Sequence, residues 1–303
     1  MKRKLVQQGA STMMISLPSK WVKENKLGKG SEVELEEKNS KIIIGLEAEK
    51  TKKDIEINIS SLTESSVRTV ITNVYRLGYD KIKINFKDKS VLKTIQEILN
   101  KNLIGFEIIK RTDSFCEIEN ITEPSKEQFD NIFSKIFLNI DELLIIAEQA
   151  LQNKKVEFEE IERKIQQFDN FCRRVIAKNN SDNFDLVWAF HSELIHGQRE
   201  IYHMLRFTAK NKIKTDKETL LMLDHCKKIF EKLKEAYIKK DIALLEHIHS
   251  LEKGIIYTEG YKAMSKSNNI IVIHHLMNAI RNFYLATSPL IGNIISVEEK
   301  EAA

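Results

Sequence analysis

The first 48 residues carry strand and helix signals but too few apolar side chains to close a core of their own. Lys2–Gln7 reads as a strand, Gly9-Ala10-Ser11-Thr12 as a turn and Met13–Leu17 as a second strand. Pro18 suits the first position of a helix, where its missing N–H costs nothing. Ser19–Lys26 continues that helix until Gly28-Lys29-Gly30 breaks it. Glu32–Glu36 and Lys41–Leu46 then form a hairpin around Lys38-Asn39-Ser40, with Val33 and Leu35 alternating with glutamates. Below roughly 70–80 residues a core is marginal without disulfide or metal staples. The apolar set here (Leu5, Met13, Ile15, Leu17, Trp21, Val22, Val33, Leu35, Ile42, Ile44) therefore needs a partner. A symmetric dimer with intertwined strands supplies one.

Charge is concentrated in the same stretch. The 303-residue chain has a net charge of only +4, yet residues 1–30 hold seven lysines and arginines against Glu24 alone. A basic patch on a nearly neutral chain points to an anionic partner at one end. The cysteines, Cys116, Cys172 and Cys226, are far apart and form no CxxC, so neither a zinc site nor a disulfide framework is implied. Isolated, half-buried thiols fit a reducing, cytoplasmic setting. Polar residues from Gln7 to Thr12 break up the stretch after the basic start, which argues against a signal peptide. No apolar run approaches the roughly 20 residues needed to span a bilayer, so direct membrane insertion is not expected.

Residues 50–122 form a second segment. Asp54–Ile59 reads as a strand, and Ser61-Leu62-Thr63-Glu64 starts a helix. Val67, Val70, Ile71, Val74 and Tyr75 line one face of that helix, and Gly78 stops it. Lys81–Phe86 is a half-buried strand, Val91–Leu99 a second helix, and Phe106–Lys110 and Phe115–Ile121 two closing strands. The order β-α-β-α-β-β predicts a small α+β domain of ferredoxin-like kind. No phosphate loop or catalytic pair marks it. A spacer or dimerisation role competes with ligand sensing there.

Residues 124–295, from Pro124-Ser125 onward, are helical. Apolar stripes run from Phe129 to Ala147, from Ile161 to Val175 and from Phe184 to Leu205, with Asn179–Asp182 separating the last two. After Lys210-Asn211-Lys212 come stripes from Met222 to Ala236, Leu244 to Ile255 and Ile273 to Ile291. That predicts six long helices in two sets of three.

The run from Gly9 to Leu35, with Gly9, Ser11, Leu17-Pro18, Leu27 and Gly30, resembles the AbrB/SpoVT family of swapped-hairpin DNA-binding domains. It differs at Ser31, where an acid is common, and at Asn25-Lys26, where glycine is common. The resemblance implies that Lys2, Arg3, Lys4, Gln7 and Gln8 face DNA, with Lys20 and Lys23 as further phosphate contacts. Lysine and arginine on phosphates position a protein, whereas Arg3 and the glutamines have the donors and acceptors to read base edges. Behind this head, the helical order, Glu162–Phe168 with Arg174, and Ile280-Arg281-Asn282-Phe283 resemble archaeal PhoU-type phosphate uptake regulators. The implied architecture is multidomain: an AbrB-like swapped-hairpin β domain (1–48), a small α+β middle domain (50–122) and a PhoU-like pair of three-helix bundles (124–295).

PhoU proteins carry carboxylates at i and i+4, which share a helix face and ligate one metal cluster. None of the eight aspartates between 126 and 295 has an acid four residues earlier. Weak remnants are Glu162 with Gln166, and Glu193 with Gly197. Ser288 and Ile291 stand where the last helix would carry an acid pair. No metal and no other cofactor is expected. Glu193 with His196, and Glu252 with His249, have the spacing to share a site, although surface histidines are the ordinary outcome. No nucleophile elbow or other enzyme constellation is present, so no catalytic residue is expected. The expectation is a cytoplasmic, homodimeric DNA-binding regulator of phosphate uptake. The rival is an adaptor that docks a phosphate transporter or signalling partner and uses its head only to dimerise. A metal-storing or metal-sensing bundle ranks third.

Overall fold

The computed structural model describes residues 2–9, 11–38, 41–45, 52–60, 63–122, 127–178 and 183–301. The chain packs as two units, Met1–Lys52 and Lys53–Ala303.

The first unit contains two separate antiparallel hairpins and a short helix. β1 (Leu5–Gln8) pairs with β2 (Thr12–Ile15), Leu5 opposite Ile15 and Gln8 opposite Thr12. α1 spans Ser19–Glu24. β3 (Glu34–Lys38) pairs with β4 (Lys41–Gly45), Leu35 opposite Ile44. The elements are those expected, with shifted ends. The first ladder stops at Leu5 and Ile15, and the chain enters α1 through Pro18, whose extended backbone stands just outside the helix. The helix ends at Glu24, before the glycines. Leu27 N–H bonds Val22 O and Lys26 N–H bonds Lys23 O, with Lys26 left-handed at φ 54°. This is the double bond that closes many helices, normally around glycine. A turn from Gly28 to Ser31, held by Gly28 N–H to Ser31 Oγ at 2.9 Å, delays β3 to Glu34. Ala10 and the expected tip Asn39-Ser40 lie outside the described residues, as does Leu46.

In the second unit, β5 (Asp54–Ile59), β6 (Lys81–Phe86), β7 (Phe106–Arg111) and β8 (Phe115–Asn120) form one sheet in the order β5-β6-β8-β7. α2 (Glu64–Arg76) and α3 (Val91–Asn102) connect them. The element order matches the sequence reading, but the ferredoxin-like topology does not hold. β5 and β6 pair in parallel, with α2 as the crossover between them, whereas a ferredoxin-like chain places a hairpin between its helices. Alternation in β6 sends Ile82, Ile84 and Phe86 into an apolar core with Val67, Ile71, Tyr75, Ile95 and Ile98. The opposite face is polar, laced by Lys81–Glu117 and Lys83–Glu56 at 3.0 Å. Ser61 and Leu62, the expected helix start, lie outside the described residues.

The helices are α4 (Glu127–Leu151), α5 (Glu159–Lys178), α6 (Phe184–Lys210), α7 (Lys217–Lys239), α8 (Ile242–Gly254), α9 (Tyr261–Lys266), α10 (Ile270–Leu285) and α11 (Thr287–Glu301). A π turn, Ile255–Gly260, joins α8 to α9, and α11 follows α10 across Ala286, so the described residues make about six rods. Pro124-Ser125 and Asn179–Asp182 lie outside the described residues. The expected two sets of three do not keep separate cores. One apolar cluster runs from Phe133 and Ile140 of α4 through Leu194 and Met204 of α6 to Phe230 of α7 and Phe283 of α10. Gly197 is where α6 meets α10. A Cβ there would stand 2.4 Å from Phe283 Cε1, so the ring occupies the position that an acid would need.

α5 also binds α2 and α3 through polar contacts. Arg76 donates to Asn170 Oδ1 at 2.7 Å and to Asp169 Oδ2 at 3.1 Å. Asn170 donates to Asn102 O at 2.9 Å. Arg174 is only 2% exposed. It lies over the rings of Tyr75 and Phe106 and donates to Tyr79 O at 2.7 Å and to the Asp80 carboxylate. Lys178 Nζ reaches the same carboxylate at 2.7 Å, and Lys53 N–H reaches its other oxygen at 3.1 Å. Gly78, at φ 83°, lets the chain turn beneath Lys178.

Burial alone would raise the Asp80 pKa. The Lys178 and Lys53 hydrogen bonds, with the Lys178 and Arg174 charges, outweigh it and hold the carboxyl below its ordinary value. Asp80 therefore contributes stability that is complete above about pH 4 and is lost as pH falls through its depressed folded pKa. Asp80→Asn leaves the buried Arg174 guanidinium without its counter-charge and should cost about 3 kcal/mol in urea unfolding at pH 7. The difference from wild type should shrink on acidification. A loss below about 0.5 kcal/mol would show that the pair does not hold the junction.

Candidate nucleic-acid interface

Lys2, Arg3 and Lys4 lead directly into β1, and all three are exposed. Gln7 and Gln8 end the strand, opposite Met13 and Thr12, and are exposed as well. Gly9, at φ 76°, starts the turn that reverses the chain. Lys20 and Lys23 sit at i and i+3 on α1, so they share one face of it. Lys20 lies 3.8 Å from Glu24, with 86% of its side chain exposed. That pair is too solvated to hold the ammonium back from a phosphate. All seven expected contact residues are therefore free to meet a polyanion. They fall on two elements, the leading strand and the helix. Lys26 and Lys29, the other two cations of the basic patch in residues 1–30, are exposed as well.

The surroundings of these cations are unusual for a folded unit. Among the described side chains between 2 and 45, none is buried. Leu5 is 62% exposed, Leu35 67% and Ile42 70%, and Val6, Met13, Met14, Ile15 and Ile43 are also open. Both β1–β2 faces carry such side chains: Leu5 and Ile15 on one, Val6 and Met14 on the other. An isolated two-stranded hairpin is marginal in water, and clustered open apolar surface marks an interaction site.

The remaining candidates are dispersed. Glu162 accepts from Gln166 Nε2 at 3.1 Å and from Gln198 Nε2, and burial pushes its pKa up. Glu193 lies 4.0 Å from His196 on α6. His249 and Glu252 do not share a site. His249 Nε2 meets Thr287 Oγ1 at 2.7 Å, and Glu252 meets Arg281. Among the described residues no three carboxylate, imidazole or thiol groups converge as a metal would require. The three cysteines are fully buried rather than half-buried. Burial pushes the Cys116 thiol to about 11 and Cys226 to about 12, and raises Cys172 as well. All three are therefore protonated and poor nucleophiles at neutral pH. No helix of the described residues is long and apolar enough to cross a membrane.

Residues 6–56 match the family model described as antidote-toxin recognition MazE, bacterial antitoxin. The N-terminal unit is thus a swapped-hairpin domain of the MazE/AbrB type, carried by a chain whose remainder is an α/β sheet layer and an all-helical region. No curated protein and no solved structure matches the chain.

Lys26 occupies a backbone position that glycine fills without strain. Lys26→Gly should stabilise the α1 end by about 0.5–1 kcal/mol, read as slower hydrogen exchange of the amides between 19 and 27. Faster exchange in the variant would show that the left-handed turn is not a source of strain.

Proposed function

We propose that the protein is a homodimeric DNA-binding transcriptional regulator whose swapped N-terminal unit grips DNA. The carrying observation is the exposed basic lead-in Lys2-Arg3-Lys4, with Gln7 and Gln8 of β1, on a MazE/AbrB-type unit none of whose described side chains is buried. A second copy covers the open apolar faces and brings two such strands together. Two-fold symmetry then calls for a paired or palindromic DNA site. Phosphate uptake is the control we assign, from the resemblance of the six-rod helical region and its Arg174 and Arg281 segments to PhoU-type regulators. The α/β layer and helices would couple the head to a signal or partner. We place the protein in the cytoplasm, in keeping with its buried free thiols.

A second reading has its own support, because the matched family is described by toxin recognition. Here the chain is an adaptor that holds a phosphate transporter or signalling protein, its head serving for dimerisation. DNA binding separates the two readings. Replacing Lys2, Arg3 and Lys4 together by Ala should abolish DNA retention in a fluorescence-anisotropy titration. The salt dependence should fall by about 0.9 in log–log slope for each phosphate that is no longer neutralised, while the thermal unfolding of the helical region stays unchanged. Wild-type affinity and slope in the triple variant would remove those residues from the interface.

A further inference from the structure

Within the second unit a cleft of about 740 Å3 opens between α2 and the end of α3 on one side and α5 and α6 on the other. That volume is in the range of small-molecule sites, roughly 300–1,000 Å3. Its walls are unevenly charged: five arginines and a lysine line it against three carboxylates.

These cations differ in how far they are already satisfied. Arg68 faces Glu64 at 3.1 Å, and Arg76 is committed to Asp169 and Asn170. Arg199 and Arg206 form no ion pair among the described residues. Arg199 donates to the Gln166 amide oxygen at 3.2 Å, and Arg206 lies 5.8 Å from the centroid of the Tyr202 ring. With His203 they occupy i, i+4 and i+7 of α6, so one helix face presents two open guanidinium groups and an imidazole to the cleft. Planar guanidinium forks match phosphate oxygens in pairs, which makes such a face a phosphate grip. Glu162 works against an anion from the α5 side, but two amides, Gln166 and Gln198, already donate to its carboxylate.

We propose that this cleft binds a phosphorylated small molecule of nucleotide size, with Arg199 and Arg206 holding its phosphate groups. Arg76, Arg163 and Lys101 are paired with Asp169, Glu160 and Glu97 just outside the cleft. The two open guanidinium forks of Arg199 and Arg206 therefore carry the anion, and two forks suit a di- or triphosphate better than a single carboxylate. The site also spans two layers. Arg76 and Asn170 line the cleft and join α2 to α5, so an occupant touches the contacts that fix the α/β layer on the helices. This site stands independently of DNA binding by the head.

Isothermal titration of the full chain at low salt with ADP, pyrophosphate and inorganic phosphate tests the site. ADP is expected to bind in the micromolar range and more tightly than inorganic phosphate. The double variant Arg199→Ala, Arg206→Ala should weaken it at least about tenfold, the loss of about 1.4 kcal/mol. Both side chains are exposed, and an unchanged circular-dichroism melt would confirm that the fold is kept. Glu162→Gln removes a negative charge, with the Gln198 amide turning its oxygen, which has no partner among the described residues, toward the new N–H2, and should tighten binding several-fold. Lys228→Ala, on the exposed side of α7, should leave it unchanged. Pyrophosphate equal to ADP would assign the grip to the phosphates alone, and tighter ADP would add the nucleoside to the contact; both support the site. Failure of all three probes to bind below the millimolar range would overturn it. So would equal binding by wild type and the double variant, or inorganic phosphate binding more tightly than ADP.

Discussion

The N-terminal unit depends on apolar side chains that one copy leaves uncovered: none of its described side chains is buried, and Leu17, Trp21, Val22, Val33 and Ile44 are only half-buried. Ten such residues in about forty cannot enclose a core, and the two hairpins leave both faces of β1–β2 open. The requirement for a second copy is thus a consequence of chain length and patterning before it is a matter of family. In the proposed dimer the basic lead-in is doubled, so three leading cations per copy become six, to be answered by the phosphates of a DNA duplex.

The rest of the chain solves the opposite problem. It has apolar surface in plenty and must join two cores, one beneath the sheet and one among the helices. The join is polar. Asp169 is buried, and although burial alone would raise its pKa, His191, Arg173 and Arg76 hold it below its ordinary value. Arg174 likewise reaches Asp80 and two backbone carbonyls across the boundary. Buried ion pairs of this kind add little net stability over apolar packing, but losing one partner is costly. They tie the sheet layer to the helices through directional contacts.

Much of this was legible in the sequence. β5 and β6 fell at the residues that alternation gave, because a half-buried strand repeats strictly with period two. The helical stripes likewise mapped onto α4 to α8, α10 and the start of α11, whereas α9 carried no stripe. Element ends in the first unit moved because side-chain and turn chemistry set them. Lys26 took the left-handed position that glycine usually fills, and Ser31 closed the turn from Gly28. The sheet's parallel pair was not legible, since element order does not reveal which edges meet. The candidate DNA contacts were legible because a run of cations beside a strand is local in sequence. Arg199, His203 and Arg206 carried a readable i, i+4, i+7 signal, but α2 and α5 complete that cleft from positions far away in the chain. Gly197 could be read only as a missing acid; Phe283 above it supplies the reason.

The claim on which the rest stands is that the first unit is half of a domain. Light scattering of the full chain, followed from micromolar to low-nanomolar concentration, tests it most directly. A mass of twice 35.2 kDa that persists on dilution, with dissociation accompanied by loss of hydrogen-exchange protection in β1 to β4, is the expected result. A 35.2 kDa species whose hairpins remain protected would contradict it.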